Sequence, residues 1–173
     1  MKLIIIAAVA QNGVIGGNNI IPWYIREDFT RFKSLTMGCP CIMGDTTYKS
    51  LPDKFRPLPG RENVVLSLDP SFYHPDITIF NDFNLALDGL KNRWPHQVDK
   101  AFVIGGATIY RLAMKFADTL ELTHIHKDYQ GDVIFPDINL DEWNVDNAES
   151  HNSIDINTGN EISYTFKTYH RKS

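Results

Sequence analysis

Cysteine, long apolar runs and positive charge are all scarce in this sequence. The two cysteines, Cys39 and Cys41, flank a single proline. They can hardly close a useful disulfide, so we expect two reduced structural thiols. No apolar run approaches the roughly 20 residues of a membrane-spanning helix. The net charge of −4 provides no basic face, which argues against a nucleic-acid partner.

The apolar N-terminal stretch KLIIIAAVA is short, lacks a small-residue cleavage site and runs directly into QNG. We interpret it as a strand and not as a signal peptide. The protein is therefore expected to be cytoplasmic, without a membrane partner. His124 and His126 share one face of a predicted strand, but no third ligand stands nearby, so no metal is expected.

The 173 residues fit one domain, residues 1–173, which is long enough to bury a core. Strands are predicted at residues 3–10, 41–43, 63–67, 77–80, 101–104 and 119–126. Helices are predicted at residues 25–35, 82–93 and 107–116, with Asp82 as the N-cap of the second. An apolar first strand and the interleaving of strands with helices indicate an α/β fold with a largely parallel sheet. The tail alternates apolar and polar residues on both sides of NTGN, which predicts an antiparallel hairpin.

Asp28 interrupts the apolar face of the helix predicted at residues 25–35. On a helical projection it falls within a stripe formed by Ile25, Phe29, Phe32 and Leu35. The other polar residues, Arg31 among them, fall on the opposite side, as in an amphipathic surface helix. One interpretation is a structural carboxylate that is capped or paired, and so satisfied by backbone groups or by an arginine. The other is a carboxylate in an apolar pocket that gains its partner from a ligand, with its pKa raised by burial.

Two glycine turns follow predicted strands. KAFVIGGATIYRLAMKF has the pattern strand, Gly-Gly, helix, and IMGDTTYKSL has the pattern strand, Gly, short helical start. Glycine permits a sharp turn and a close ligand approach, and a helix start favours an anion. Two such turns at the carboxyl ends of strands suit a dinucleotide pyrophosphate, although Gly-Gly before a helix is also a common packing turn.

The chain shows no G-x-S-x-G motif, no histidine-activated cysteine and no second carboxylate at helical spacing from Asp28. These absences argue against hydrolase chemistry. One acid beside a dinucleotide site is what hydride transfer coupled to proton transfer requires.

Along nearly its whole length the sequence resembles the dihydrofolate reductase family. The resembling stretches, in order, are IIIAAVAQNGVIG, IPWYIREDFTRFK, IMGDTTYKSL, LPGRENVVLS, FVIGGATIY, LTHI and GDVIFPD. The resemblance implies a three-layer sandwich: a mostly parallel eight-stranded sheet with an antiparallel C-terminal hairpin, flanked by about four helices. It also implies reduction of 7,8-dihydrofolate to tetrahydrofolate in a central cleft.

The resemblance implies that Asp28 holds the pterin 2-amino group and N3 and favours protonation at N5. Thr123 would be the hydroxyl partner of that carboxylate, and Trp23 would hold a site water near it. Arg61 would clamp the substrate's glutamate α-carboxylate, although by itself it could be a solvated loop cation. The remaining residues expected to contact the substrate are Ala7, Ala8, Phe29, Phe32, Leu51, Leu58, Ile104 and Tyr110.

For the nicotinamide cofactor, the resemblance implies a mobile loop at residues 16–23 and a cis link between Gly105 and Gly106. The residues expected to contact the cofactor are Ala8, Ile15, Gly16, Asn19, Ile21, Gly44, Asp45, Thr46, Thr47, Leu66, Ser67, Leu68, Ile104, Gly105, Gly106, Ala107, Thr108, Ile109 and Tyr110.

Three of these positions depart from the family pattern. Asp45, Leu68 and Thr108 stand where many relatives place cations or hydroxyl donors that hold the adenosine 2′-phosphate or neutralise nearby phosphate. A carboxylate beside a 2′-phosphate repels it by about 1 kcal/mol in high dielectric, and such an acid would accept a ribose 2′-hydroxyl instead. We keep NADPH as the expected cofactor, with a weakened preference over NADH. Arg111 or Lys49 could restore the missing cation.

Two alternatives to dihydrofolate reductase follow from the same features. The first is the reductase of riboflavin synthesis, which shares the fold and a nicotinamide cofactor. Asp28 with Phe32, together with Arg61, favours a folate over a ribosyl phosphate. The second is a non-catalytic nucleotide- or folate-binding module, against which the intact Asp28, Thr123 and Trp23 argue. No exposed apolar interface is evident, so we expect a monomer.

Overall fold

A computed structural model of the protein describes residues 1–92 and 98–172. Its centre is an eight-stranded sheet with the strand order β5-β4-β3-β6-β1-β7-β10-β9. The ten strands of the described chain are β1 (Lys2–Ala10), β2 (Val14–Gly16), β3 (Pro40–Gly44), β4 (Glu62–Leu66), β5 (Thr78–Phe80), β6 (Lys100–Gly105), β7 (Thr119–Ile125), β8 (Val133–Ile134), β9 (Trp143–Ile154) and β10 (Glu161–Arg171). The fold class predicted from the sequence is confirmed.

Strand β1 lies inside the sheet between β6 and β7, and both of these pairings are parallel. The pairings of β3 with β4 and β6, and of β4 with β5, are also parallel. A strand buried on both faces has no solvent side, which explains why β1 is apolar without alternation. Strand β10 runs antiparallel to β7 and β9 and forms the predicted C-terminal hairpin with β9.

Four α-helices in the described chain connect the strands: α1 (Arg26–Thr36), α2 (Asp45–Ser50), α3 (Phe83–Lys91) and α4 (Ala107–Ala113), with one 3₁₀ turn at Asp53–Phe55. Asp82 caps α3 as predicted, because its carboxylate accepts hydrogen bonds from the backbone N–H groups of Asn84 and Leu85. The predicted end of this helix at Arg93 lies outside the described residues. Helix α4 ends three residues earlier than predicted.

Alternate residues of the central strands face two different cores. Ile5, Ile42 and Val103 pack with residues of α3 and α4, whereas Ile6, Met43 and Phe102 pack with α2 and with Phe32 of α1. Because successive side chains in a strand point to opposite faces, α3 and α4 cover one face of the sheet and α1 and α2 cover the other. This arrangement is the expected three-layer sandwich.

Strands β2 and β8, and the part of β9 before residue 153, were not predicted from the sequence. Strands β2 and β8 have three and two residues and form a separate two-stranded sheet, so they are too short to show a period of two. Strand β9 begins at Trp143 and occupies the edge of the main sheet, with nearly all of its residues exposed. An exposed edge strand carries polar residues on both faces, so the part of β9 before residue 153 shows no apolar alternation.

Candidate active site

A deep cleft of about 1720 Å³ opens at the carboxyl ends of β1, β3, β4 and β6. Sites for drug-sized ligands usually occupy about 300–1,000 Å³, so this cleft has room for two ligands side by side. The carboxyl ends of parallel strands are where open α/β sheets bind their ligands. Every residue predicted to contact substrate or cofactor lines the cleft except Thr123, which lies buried behind it.

Asp28 lies in the first turn of α1, whose positive end favours a carboxylate. The Thr123 hydroxyl, on β7, donates a hydrogen bond of 2.5 Å to Oδ1 of Asp28. Thr123 is 1% exposed, while the Asp28 carboxylate itself borders the cleft. One oxygen of the acid is thus fixed by the protein, and the group faces the space in which a ligand would lie.

Burial raises the pKa of the Asp28 carboxyl, although the Thr123 hydrogen bond and the nearby Arg31 charge oppose that rise. Among the described residues, no lysine, arginine or histidine forms an ion pair with Asp28. The interpretation of Asp28 as half of a structural ion pair with arginine is therefore wrong. Its carboxylate remains available to donors on a ligand.

The apolar stripe of α1 faces the cleft as well as the core. Phe29 is 39% exposed and lies on the wall of the cleft beside Phe32, while Ile25 is fully buried. Leu51 and Leu58, from the segment that follows α2, also line the cleft and belong to the same apolar cluster as Phe32. The cleft thus places a carboxylate beside aromatic and aliphatic surface, which suits a flat heterocycle with N–H donors.

The sequence-based placement of Arg31 on the solvent side of α1 is wrong. Its guanidinium pairs with Glu121 on β7 and lies 4.7 Å from the ring centroid of Phe166 on β10. Arg31 also lines the cleft. A helical projection could not reveal this inward position, because the attracting carboxylate lies 90 residues further along the chain.

Arg61 stands, partly exposed, at the rim of the cleft. Its Nε donates to the Pro59 carbonyl at 3.1 Å, and its Nη1 donates to the Thr36 hydroxyl at 3.2 Å. The guanidinium lies 5.8 Å from the Phe32 ring centroid. No carboxylate in the described chain forms an ion pair with it, so this cation is oriented and available to an anionic ligand.

The two glycine turns also line the cleft. Gly44 ends β3 immediately before α2, and Gly106 precedes α4. The peptide bond between Gly105 and Gly106 is cis, as the resemblance implies. A Cβ at Gly106 would lie 3.3 Å from the Thr47 hydroxyl oxygen. The turns therefore approach closely because both lack side chains, which leaves backbone accessible to a ligand.

Asp45 forms a small polar cluster beside these turns. Its Oδ2 accepts a hydrogen bond from the Ser67 hydroxyl at 3.0 Å and lies 3.5 Å from Lys49 Nζ. Neighbouring Leu68 is 87% exposed. Arg111 donates to the Thr108 hydroxyl at 3.1 Å. Lys49 and Arg111, the two cations that could replace a missing phosphate ligand, do not line the cleft, whereas Asp45 and Thr108 do.

The segment at residues 16–23 borders the same cleft. Ile20 and Ile21 are 67% and 45% exposed, and Trp23 is buried at 2%. The Trp23 ring packs edge-on against Tyr129, with 4.9 Å between ring centroids. The segment therefore has exposed apolar residues in its middle, and buried Trp23 fixes its end.

Several cleft residues carry no signal in the sequence. Arg31, Tyr24, Lys33, Lys115 and Phe116 also line the cleft, and the helical pattern alone gives no reason to select them. His124 and His126 lie outside the cleft, where their Nε2 atoms are within 2.8 Å of the Tyr169 and Thr165 hydroxyls. Among the described residues, no group of three or more His, Cys, Asp or Glu side chains could hold a metal ion.

No helix within residues 1–92 and 98–172 is both long enough and apolar enough to cross a membrane.

The chain matches the family model described as dihydrofolate reductase over residues 2–171. The dihydrofolate reductase of Neisseria gonorrhoeae is 36% identical over 169 residues, which cover 98% of each chain. The dihydrofolate reductase type 3 of Salmonella typhimurium is 36% identical over 158 residues, covering 91% of this chain and 93% of that protein.

Among solved structures, dihydrofolate reductase from Enterococcus faecalis, complexed with NADP(H) and RAB-propyl, superposes with a TM-score of 0.84 at 24% sequence identity. The superposition covers 99% of this chain and 97% of that one. It shows a shared fold along the whole chain.

Proposed function

The chain belongs to the dihydrofolate reductase family, and from that membership we propose how its own residues carry the reaction. The protein reduces 7,8-dihydrofolate to 5,6,7,8-tetrahydrofolate, which supports one-carbon metabolism and thymidylate synthesis. When bound, the nicotinamide cofactor supplies the hydride that C6 of the pterin receives, and N5 of the pterin gains a proton. The observation that carries the assignment of roles is Asp28, held by Thr123 at the wall of the cleft.

Asp28 accepts hydrogen bonds from the pterin 2-amino group and N3 and favours protonation at N5. Its negative charge stabilises the positive charge that develops on the ring as N5 is protonated. Thr123 fixes the carboxylate by donating to Oδ1, which leaves Oδ2 and the second lone pair of Oδ1 for the two ligand donors. Trp23, which also lines the cleft, holds a water near the acid.

The apolar wall orients the substrate, and the rim binds its tail. Phe29, Phe32, Leu51 and Leu58 enclose the pterin and benzoyl rings and exclude water from them, which strengthens the interaction with Asp28. Arg61 then binds the glutamate α-carboxylate as a bidentate pair.

The glycine turns fit a dinucleotide. Gly44 and Gly106 leave backbone exposed where a pyrophosphate would lie, and the ring of a nicotinamide would reach Ala8 and Ile15 along the cleft. We propose NADPH as the cofactor, with NADH accepted as well. The second part of this proposal rests on Asp45, whose carboxylate has acceptor capacity beyond its bonds to the Thr46 N–H, Ser67 and Lys49 and would repel a 2′-phosphate.

The assay that tests the function follows the fall of absorbance at 340 nm with dihydrofolate and either cofactor. Turnover supports the assignment, whereas binding of both ligands without turnover would point to a binding module. In the same assay we expect a kcat/KM ratio of NADPH to NADH below about 100, because repulsion by Asp45 costs the phosphate about 1 kcal/mol.

Replacing Asp45 by arginine is expected to raise the NADPH to NADH ratio of kcat/KM about ten- to thirtyfold. The change removes a repulsion and adds an attraction, each worth about 1 kcal/mol in high dielectric. Asp88→Arg makes the same change in net charge at an exposed position on α3 that does not line the cleft, and it should leave the ratio unchanged. A wild-type NADPH preference above a hundredfold, or equal ratios in both variants, would contradict the role of Asp45.

We also propose that residues 1–173 form a single domain, that the protein is a cytoplasmic monomer, and that it binds neither nucleic acid nor membranes. The net charge of −4 supports the absence of a nucleic-acid partner. Sedimentation equilibrium of the purified protein measures the oligomeric state, and a dimer mass would contradict the monomer.

A further inference from the structure

Helix α1 and strand β7 are joined by two side-chain pairs. Asp28 bonds to Thr123, and Arg31 bonds to Glu121. Asp28 and Arg31 are three residues apart and lie on one helix face, while Glu121 and Thr123 are two apart and lie on one strand face. The second pair therefore repeats the first, one helical turn along α1.

The Arg31–Glu121 pair is built into three elements. Glu121 Oε2 also accepts a hydrogen bond of 2.9 Å from the Thr168 hydroxyl on β10, and the Arg31 guanidinium stacks over Phe166 on the same strand. In the sheet register Phe166 lies opposite Thr123, and Thr168 lies opposite Glu121. The Arg31 and Glu121 side chains are only 19% and 15% exposed, so solvent screens their charges weakly.

We propose that Arg31 and Glu121 are positioning residues for the reaction: they hold α1 against β7 beside Asp28 and balance the charge around its carboxylate. The proposal rests on the role proposed above for Asp28. Arg31 lowers the pKa of the Asp28 carboxyl, and the negative charge of Glu121, which is paired with Arg31, reduces that effect. With one removed, the other acts on Asp28 without compensation.

The remaining groups that face Asp28 do not supply this balance. Tyr110 on α4 and Tyr164 on β10 interact with the Asp28 charge, and burial, the larger effect, and that charge both raise the pKa of each hydroxyl. Both tyrosines are therefore neutral at pH 7. Glu27, the neighbouring carboxylate on α1, bonds to the Ser153 hydroxyl on β9 and is exposed. Arg31 and Glu121 are thus the two enclosed charges beside the acid in the described chain.

Arg31→Met and Glu121→Gln are expected to move the titration of Asp28 in opposite directions. Loss of the cation leaves Glu121 to disfavour the Asp28 anion, so the midpoint rises by about 0.5–1 pH unit. Loss of the anion leaves Arg31 to favour it, so the midpoint falls by a similar amount. The double variant returns to within about 0.3 units of the wild type. The measurement is carbon-13 NMR of the Asp28 carboxyl in the full-length protein without ligands.

The pH profile of kcat/KM for dihydrofolate should move in the same opposite directions. Lys167→Met and Glu161→Gln are matched controls, because Lys167 lies on the opposite face of β10 and Glu161 is exposed at its start; neither should move the titration. The proposal would be overturned if both single variants only lowered Tm, and the Asp28 titration midpoint either stayed unchanged in both or moved in the same direction in both. The titration of Asp28 could move as expected while Asp28→Asn leaves turnover intact. That result would contradict the proposed role of Asp28 in the reaction but would support the effect of Arg31 and Glu121 on its charge.

Discussion

Replacing Asp28 by asparagine is expected to lower kcat/KM for dihydrofolate by about 10²–10³-fold at pH 7. Positioned acid–base groups typically contribute about 10²–10⁴-fold, and asparagine keeps the size of the side chain but removes its charge. The variant still accepts one hydrogen bond from the pterin, but it no longer stabilises the positive charge that accompanies protonation of N5. The activity of the variant should recover as the pH is lowered, because a proton from solvent then reaches N5 more readily.

The same substitution should not destabilise the fold at neutral pH. Burial raises the pKa of the Asp28 carboxyl, so the folded state binds the proton more tightly than the unfolded state. The stabilisation from this group is therefore fully present at low pH and is lost as the pH rises through the folded-state pKa. At pH 7 we expect Asp28→Asn to have a free energy of unfolding equal to or above that of the wild type, measured by urea unfolding.

Glu27→Gln is the control for Asp28→Asn, because it removes a neighbouring exposed carboxylate from the same helix turn. It should change kcat/KM less than twofold. Undiminished turnover of dihydrofolate by Asp28→Asn at pH 7 would remove the basis of the proposed mechanism. A large loss of unfolding free energy in Asp28→Asn at pH 7 would instead show that Asp28 is mainly structural.

Replacing Arg61 by leucine is expected to raise KM for dihydrofolate about a hundredfold, with kcat changed only a fewfold. A charged pair with good geometry contributes about 2–5 kcal/mol when it is enclosed, and the position of Arg61 at the rim places the effect near the lower end. Because the glutamate tail lies far from C6 and N5, this interaction is equally strong in the ground state and the transition state. Its loss therefore raises KM and not the barrier of the chemical step.

Arg61→Lys separates charge from geometry. Lysine keeps the positive charge but lacks the planar fork that matches a carboxylate, so KM should fall between those of the wild type and Arg61→Leu. The control is Arg56→Leu, in the same segment but bonded to Asp53 and to the Lys49 carbonyl and outside the cleft. If Arg56→Leu raised KM as much as Arg61→Leu, the assignment of Arg61 as the residue that binds the glutamate α-carboxylate would be wrong.

The local elements were predictable where one residue pattern dominates. Strand β1 is apolar throughout because it is covered on both faces, and Asp82 caps α3 because its carboxylate reaches N–H groups two and three residues ahead. The order of the short motifs identified the family, and the resemblance to that family indicated which residues to expect in the cleft. The β2–β8 pair and the part of β9 before residue 153 were missed, because very short strands and an exposed edge leave no periodic signal.

The sequence by itself determined that a carboxylate stands within an apolar helix face, and it made Asp28 a candidate before any contact was known. Only the tertiary structure decided what that carboxylate meets. Its partner Thr123 is 95 residues away along the chain, and Arg31 turns inward to Glu121 instead of outward to water. Helical periodicity records which side chains share a face, whereas a long-range ion pair depends on which strand the fold places against that face.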